Sequence, residues 1–391
     1  MKIILADFGL HSEFLPFTYT KPLAELRMGI LTFRERWEKA LGEKCESWGP
    51  QYLKGKYPCA PDAENLVLRA TLLPTPALLN KVKGLNPGEA LYQEDQLLAY
   101  RGEWVDKTDS LKLAKGDFAE ELLWVQKPWD LFSKNGAAIA YDFELLTAGR
   151  SSKELSSTNT VLGDSNLIFL EEGAEVECSI LNTNNGPIYI GSEAKIMEGS
   201  IVRGGLALCE GAQLKMGSKI YGPSTFGPYC KVGGEVNNAI LMGYSNKGHE
   251  GFLGNSVLGE WCNLGADTNT SNLKNNYAPV RLWDYASGRF AHTGLQFCGL
   301  MMGDHSKAGI NTMFNTGTVV GVSANIFGSG FPRNFIPSFS WGGASGYTEY
   351  KTNKAFETAE AMMARRGVGF DENERAILET VFEMTAPYRT K

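Results

Sequence analysis

The chain has 391 residues, of which 43% are hydrophobic and 21% charged, with a formal net charge of -6. That length allows two or three domains and a large core, while the acidic balance excludes a nucleic-acid partner held by a general basic surface. No apolar run reaches the ~18 residues of a membrane span, and the opening MKIILADF is too short for a secretory leader, so neither a membrane partner nor export is expected and the reading is cytoplasmic.

Residues 1–133 read as a small α/β domain. Ile3–Leu5 is a first buried strand, and 29–41 a helix with Phe33, Trp37 and Leu41 on one face. Asn65–Leu68 is a second strand, Pro76 opens a helix over 76–83, and Gln93–Tyr100 is a further strand. Residues 119–133 read as helical up to Trp129, and 134–158, ending in SSKELSSTNT, as a linker.

Residues 159–345 are different in kind. The stretch 161–350 holds 31 of the 44 glycines. Ile190, Ile196, Val202, Leu208, Leu214, Ile220, Phe226 and Val232 follow one another at six-residue steps, each preceded at i−2 by a mostly small residue. The pattern returns at Phe252, Leu258 and Leu264, and again from Met302 to Ile326; Leu162, Ile168, Ala174 and Ile180 keep it more loosely. A six-residue period means short strands separated by tight turns, with i and i−2 pointing inward, wound into a parallel β-helix. Glycine often follows the large residue, as in Ile190-Gly191, where a sharp turn is expected. Residues 233–251 and 271–299 break the period and read as loops projecting from the stack.

Residues 346–391 are helical again, over 353–366 and 371–384, with Asp371 as a cap. They read as a cover for the end of the solenoid or a contact to another subunit. The seven cysteines are odd in number and form no CxxC pair, so reduced thiols are expected rather than disulfides or zinc.

Chemistry is densest where the hexads break. His249 stands just before the solenoid resumes, and Asn255, Asn263, Asn269, Asn272, Asn275 and Asn276 follow. An imidazole is a natural general base near neutral pH, and asparagine both donates and accepts, which suits a sugar or an amide. The plain alternatives are a surface histidine in a loop and an asparagine serving a turn. His305 reads as a turn residue, and His292, in the second break, as a candidate to line the site.

Hexapeptide-repeat proteins of this signature wind left-handed, and most are acyltransferases working as trimers; that resemblance implies a left-handed parallel β-helix and a homotrimer. The segment GHEGFLGNSVLGEWCNLGADTNTSN resembles the acetyltransferase domain of GlmU-type bifunctional enzymes, which make UDP-N-acetylglucosamine from a sugar phosphate and a nucleotide. The resemblance implies acetyl-CoA as co-substrate, His249 as catalytic base, Asn272 as the residue orienting it, Asn263 as a sugar contact and Ala266 as a coenzyme contact. Phe252 replaces a tyrosine and Asn237 a phosphate-binding lysine, so both are expected at the substrate. Ile310 replaces a serine at the coenzyme, with Gly328 assigned to the same site, and Lys231 and Lys247, with Arg203 and Lys219, are candidates for the missing charge.

ILADFGLHSEFLPFTYTKPLAEL resembles the opening of sugar-phosphate nucleotidyltransferases. Lys21 matches the phosphate-contacting lysine, with Gly9 and Arg27 as further nucleotide ligands and Mg2+ required if this domain is active. Only Gly9 remains of the glycine-rich loop. The ligands of a metal are unassigned, with Asp95 and Asp106 as weak candidates. Three readings stay open: a bifunctional enzyme; a single-activity acyltransferase, or a nucleotidyltransferase such as a thymidylyltransferase, with the other domain decayed; and a non-catalytic trimeric scaffold that binds sugar nucleotides.

Overall fold

The computed structural model describes residues 1–105 and 113–389. The N-terminal part is a six-stranded mixed sheet of order β2-β1-β3-β5-β4-β6, with β1 Lys2–Ala6, β2 Cys45–Ser47, β3 Asn65–Arg69, β4 Glu89–Gln93, β5 Gln96–Gly102 and β6 Ala114–Asp117. The strand expected over 93–100 is present as β5, which starts at Gln96 because the chain turns there from β4, with Glu94 at φ 51°. Helix α1, Phe33–Leu41, begins at a capping box in which the Thr32 hydroxyl accepts from Glu35 N–H and the Glu35 carboxylate accepts from Thr32 N–H. It buries Phe33, Trp37 and Leu41 as their spacing requires. Helix α2, Pro76–Lys83, starts at its proline.

Residues 119–129 are not helical. They run extended beside 71–73, where Leu73 N–H donates to Leu123 O at 2.9 Å and Val125 N–H donates to Thr71 O at 3.1 Å. Their backbone groups find partners across the chain, which removes the need for a helix. Only the short α3, Asp130–Ser133, follows.

The stretch expected as a linker contains helix α4, Asn135–Thr147. Asp142 lies fully buried on it, accepting from Arg36 Nε at 2.7 Å and from Ile30 N–H at 2.8 Å. Asn135 Oδ1 accepts from Gly29 N–H at 2.8 Å and from Thr225 Oγ1 at 3.1 Å. The segment therefore joins the two halves, because its few polar residues satisfy backbone groups of one half and a hydroxyl of the other. After α4, residues 148–158 of that stretch lie outside helix and strand.

From Thr160 the chain forms a parallel solenoid whose faces are a thirteen-stranded and a ten-stranded sheet with a short third pairing. Ile188, Leu206 and Ser224 stand opposite one another, as do Ile190, Leu208 and Phe226. Three six-residue steps thus make one coil, and the residues of the period stack as a continuous core in which Ile190, Leu208, Leu214, Phe226 and Val232 are fully buried. The long strands 235–243 and 252–260 run parallel through the first period break. That break is part of the stack and does not project. In it Leu253 points inward rather than Phe252. Upstream, Leu162 and Ile180 face outward and Val161 and Leu181 take the inward places.

The glycines after the large residues do not sit at the sharp turn. A Cβ on Gly191 would lie 2.7 Å from Glu210 N, and one on Gly227 1.8 Å from Met242 O. They are small because successive coils approach there. The turn itself falls two residues later, at left-handed Glu193, Gly211, Tyr229, Tyr244, Trp261, His305, Ser323 and Phe339. This column stacks: Tyr244 lies 4.2 Å from Trp261 and 5.3 Å from Tyr229, and His305 6.3 Å from Trp261. His305 is accordingly the turn residue that was expected.

The second break, 271–299, holds an antiparallel hairpin of 281–284 with 289–292. It folds back rather than projecting: Val280, Leu282 and Tyr285 share a core with Phe14, Phe17 and Tyr19 of the N-terminal part and with Met301 and Val319 of the solenoid. The closing helices, α5 Thr352–Ala364 and α6 Glu372–Met384, with Asp371 capping the second, lie along the flank of the stack. Phe382 packs on Phe339 at 5.2 Å, and Arg366 reaches back to Asn246 at 3.1 Å.

Candidate functional site

Lys231, His249, Asn263, Ala266 and Ile310 come from four coils and line one open cleft of about 490 Å3 on the solenoid. Parallel stacking achieves this: Lys231 pairs with Asn246, Asn246 with Asn263, and Asn263 with Lys307, so equivalent positions of successive coils share one face. His249 is exposed at the corner following this face, and Ile310 is 69% exposed. The Ala266 backbone is held by Asn311, whose N–H donates to Ala266 O at 2.8 Å. Leu264 and Gly265 complete the floor.

Lys247 lies beneath rather than in the cleft. It is buried, and its Nζ donates to Gly233 O and to His249 O, both at 2.8 Å. Burial brings its pKa down to about 8. Its ammonium fastens the corner that carries His249 and is not free to meet a phosphate.

Asn272 does not reach His249. Its Nδ2 donates to Asn255 Oδ1 at 2.8 Å. It sits with Phe252 over Gly254, which stands opposite Asn237. Asn237, Phe252 and Asn272 thus form a second group, on the outer face of the neighbouring sheet. Gly328 is exposed after the strand 325–326, away from the cleft lining. Arg203 lies on that outer face, paired with Tyr221, and Lys219 pairs with Glu250 at 3.4 Å. His292 lines a separate small cavity with Glu13, Lys127, Trp283 and Asp284.

In the N-terminal part, Lys21 is 2% exposed and pairs with Glu260 at 2.8 Å and Asp304 at 2.9 Å, both on the solenoid. Burial disfavours its charge, but the two carboxylates outweigh that and hold its pKa well above the ordinary lysine value. Arg27 is likewise buried, donating to Ile30 O and pairing with Glu35 at 3.3 Å. Both side chains are turned to partners within the protein. Gly9 is exposed at φ 87°, with Asp7 Oδ1 accepting from its N–H at 2.8 Å. The neighbouring Phe8 takes the guanidinium of Arg69 over its ring at 5.0 Å, filling space at the carboxyl ends of β1 and β3 where an open α/β sheet takes its ligand. Asp95 is exposed in the β4–β5 turn, and Asp106 lies outside the described residues. Among the described residues no three carboxylate, histidine or cysteine groups cluster as metal ligands.

The sequence reading missed Lys215, Asn246, Met362, Arg365 and Arg366, which also line the cleft. A signal for the arginines was present: neither has an acidic residue three or four positions before it on its helix. The seven cysteines are free thiols, all buried except Cys178. No helix among the described residues is long and apolar enough to cross a membrane.

Comparison with known proteins bears on both halves. Residues 3–151 match a family model described as sugar nucleotidyl transferase. The chain is 36% identical over 87 residues to the bifunctional protein GlmU of Methanocaldococcus jannaschii, covering 22% of this chain and 21% of that protein. It is 25% identical over 272 residues to a bifunctional sugar-1-phosphate nucleotidylyltransferase/acetyltransferase of Sulfurisphaera tokodaii, covering 65% of this chain and 59% of that one. The matches thus span about a fifth and about three fifths of these relatives' own lengths. Among solved structures, the polysialic-acid-specific acetyltransferase NeuO aligns over 54% of this chain and 99% of its own, at 12% identity and a TM-score of 0.30. UDP-N-acetylglucosamine acyltransferase of Arabidopsis aligns over 60% and 82%, at 13% identity and a TM-score of 0.23.

Proposed function

We propose that the protein is a transferase of sugar-nucleotide biosynthesis that moves an acetyl group from acetyl-CoA to an amino-sugar phosphate of the glucosamine-1-phosphate class, in the cleft carrying His249. The observation that carries this reading is the meeting of His249, Asn263, Ala266 and Ile310 in that cleft. An amine attacks a thioester only when neutral. The acceptor ammonium first loses one proton to solvent; as the neutral nitrogen bonds to the acetyl carbon, His249, exposed at the rim, takes a second proton from it. As the tetrahedral intermediate collapses, the carbon–sulfur bond breaks and the thiolate leaves with a proton from the imidazolium. The oxyanion formed between these events needs an N–H donor, for which Ala266 is the candidate. Asn263 is placed to accept from and donate to sugar hydroxyls.

Asn237, Phe252 and Asn272 lie on an outer face, where they complete a site only if another copy of the chain lies against it. The homotrimer and the cytoplasmic setting belong to this proposal. Nucleotidyl transfer by the N-terminal domain, giving UDP-N-acetylglucosamine, is its second half.

One observation favours the narrower alternative of a single-activity acyltransferase: the charges of Lys21 and Arg27 are engaged by carboxylates of the protein itself. On that reading the N-terminal domain braces the solenoid. The first experiment is thiol release from acetyl-CoA with glucosamine-1-phosphate. Wild type should be active, and His249→Ala reduced by ~10²–10⁴-fold. Equal rates in the two proteins would sink the assignment. Pyrophosphate release with UTP and Mg2+ separates the bifunctional reading from the narrower one.

A further inference from the structure

The cleft is built from two unlike halves. Its floor of Leu264, Gly265, Ala266 and Ile310, with Met362 opposite, is apolar. Its other wall carries Lys215 and Lys231 from the solenoid and Arg365 and Arg366 from the carboxyl end of α5, the first its cap and the second just beyond. Among the described residues none of these four cations has a carboxylate within 4.0 Å. Glu250 and Asp267 act on the buried Lys247, and Glu250 also pairs with Lys219 at 3.4 Å.

Four like charges converge here in a chain whose net charge is -6. Burial, and then Arg366, Lys215 and Arg365, depress the Lys231 pKa, so the cations feel one another. The arrangement is held by the fold. Ala355, Phe356, Ala359 and Met363 bury one face of α5, which turns Met362, Arg365 and Arg366 toward the cleft. Asn246 Oδ1 accepts from Arg366 Nη2 at 3.1 Å and directs the guanidinium. The carboxyl end of the helix favours cations there as well. Repulsion of this kind is relieved by a bound anion, and guanidinium pairs suit phosphate oxygens.

We infer that Lys215, Lys231, Arg365 and Arg366 form the phosphate-binding wall of the cleft, taking a ligand with at least two negative phosphate charges. The assignment rests on the acetyl-transfer reading for what that ligand is: the phosphate of the acceptor sugar or the nucleotide end of the coenzyme. It relocates to the C-terminal helix a charge that Asn237 does not supply.

The test is calorimetric titration of the full chain with three probes separately: inorganic pyrophosphate, adenosine 3′,5′-diphosphate and glucosamine-1-phosphate. Wild type should bind at least one, more weakly as salt rises. Arg365→Gln/Arg366→Gln should weaken that binding at least tenfold, and His249→Ala should weaken it far less while reducing acetyl transfer by ~10²–10⁴-fold. Sensitivity confined to adenosine 3′,5′-diphosphate assigns the wall to the coenzyme, and sensitivity confined to the sugar phosphate assigns it to the acceptor. If the double variant loses its thermal transition, Lys231→Gln, on a solenoid strand, carries the same expectation. No binding by wild type, or equal binding by wild type and variants, would overturn the inference. Charge-dependent binding without acetyl transfer to any amino sugar would instead overturn the proposed reaction and leave the wall standing.

Discussion

Lys247 shows how one buried side chain serves the site without touching a ligand. Its two carbonyl contacts fix the corner at His249. Replacing it with Met should lower acetyl transfer while the solenoid remains folded, because the loop loses its tie and the core does not. Its titration is also readable. The proton leaves at about 8 in the folded chain, against 10.5 for an ordinary lysine, so the unfolded chain binds more protons between those values. Stability contributed through this group therefore rises with pH across that window, and the difference between wild type and Lys247→Met in denaturant midpoint should grow accordingly. Glu374 behaves oppositely. Burial alone would raise its pKa, but His305 at 3.7 Å and Lys56 at 2.5 Å bring it to about 2. Its stabilisation is complete above about 4.5 and lost as the pH falls toward 2. Glu374→Gln should cost about 2 kcal/mol at neutral pH and progressively less as the pH falls toward 2, measured by urea unfolding.

At the scale of the element, the coil is set by volume in two columns. The inward column takes large apolar residues and the column after it takes glycine, because backbone meets backbone there. Gly227→Ala places a methyl 1.8 Å from Met242 O and should destabilise by about 3 kcal/mol, seen as a lowered thermal midpoint. Phe226→Ala, which empties a fully buried position, should cost ~3–5 kcal/mol. The helices are governed by their ends. Thr32 and Asp371 each accept an N–H of the first turn, and Thr32→Ala should cost about 1 kcal/mol.

Taken whole, the molecule is one packed body. Phe14, Phe17 and Leu53 share their core with Ile240 and Val257 of the solenoid and with Ile377 and Leu378 of α6. The Lys21–Glu260–Asp304 cluster sits at that junction with Thr20 Oγ1 donating to Asp304 at 2.7 Å. Calorimetry should accordingly show a single unfolding transition. Lys21→Met leaves Asp304 buried without its cation and should lower that transition by ~3–5 kcal/mol. A variant that loses nucleotide binding but keeps its stability would instead make Lys21 a ligand.

The coiled architecture was legible because its period of six is written in consecutive residues, from Ile190 to Val232, and any face repeated along a chain is local information. The corner with His249 and Asn263 was legible for the same reason, as a break within that period. The helix starts at Pro76 and Asp371 could be read because a cap acts on its nearest neighbours, whereas the helix read from 29 begins only at Phe33, after the Thr32 cap. What only the tertiary structure decided depends on residues far apart in sequence. Leu253 displaces Phe252 from the core because two long strands cross the break in register. The segment 135–147 folds as a helix because Asp142 and Asn135 satisfy groups at 29–31 and, through Thr225, in the solenoid. Lys21, read as a phosphate ligand from its local motif, lies against carboxylates 239 and 283 residues away. Arg365 and Arg366 enter the cleft because α5 folds back along the flank. Periodicity encodes how a chain repeats, whereas the partner of a charge is fixed by packing between distant segments.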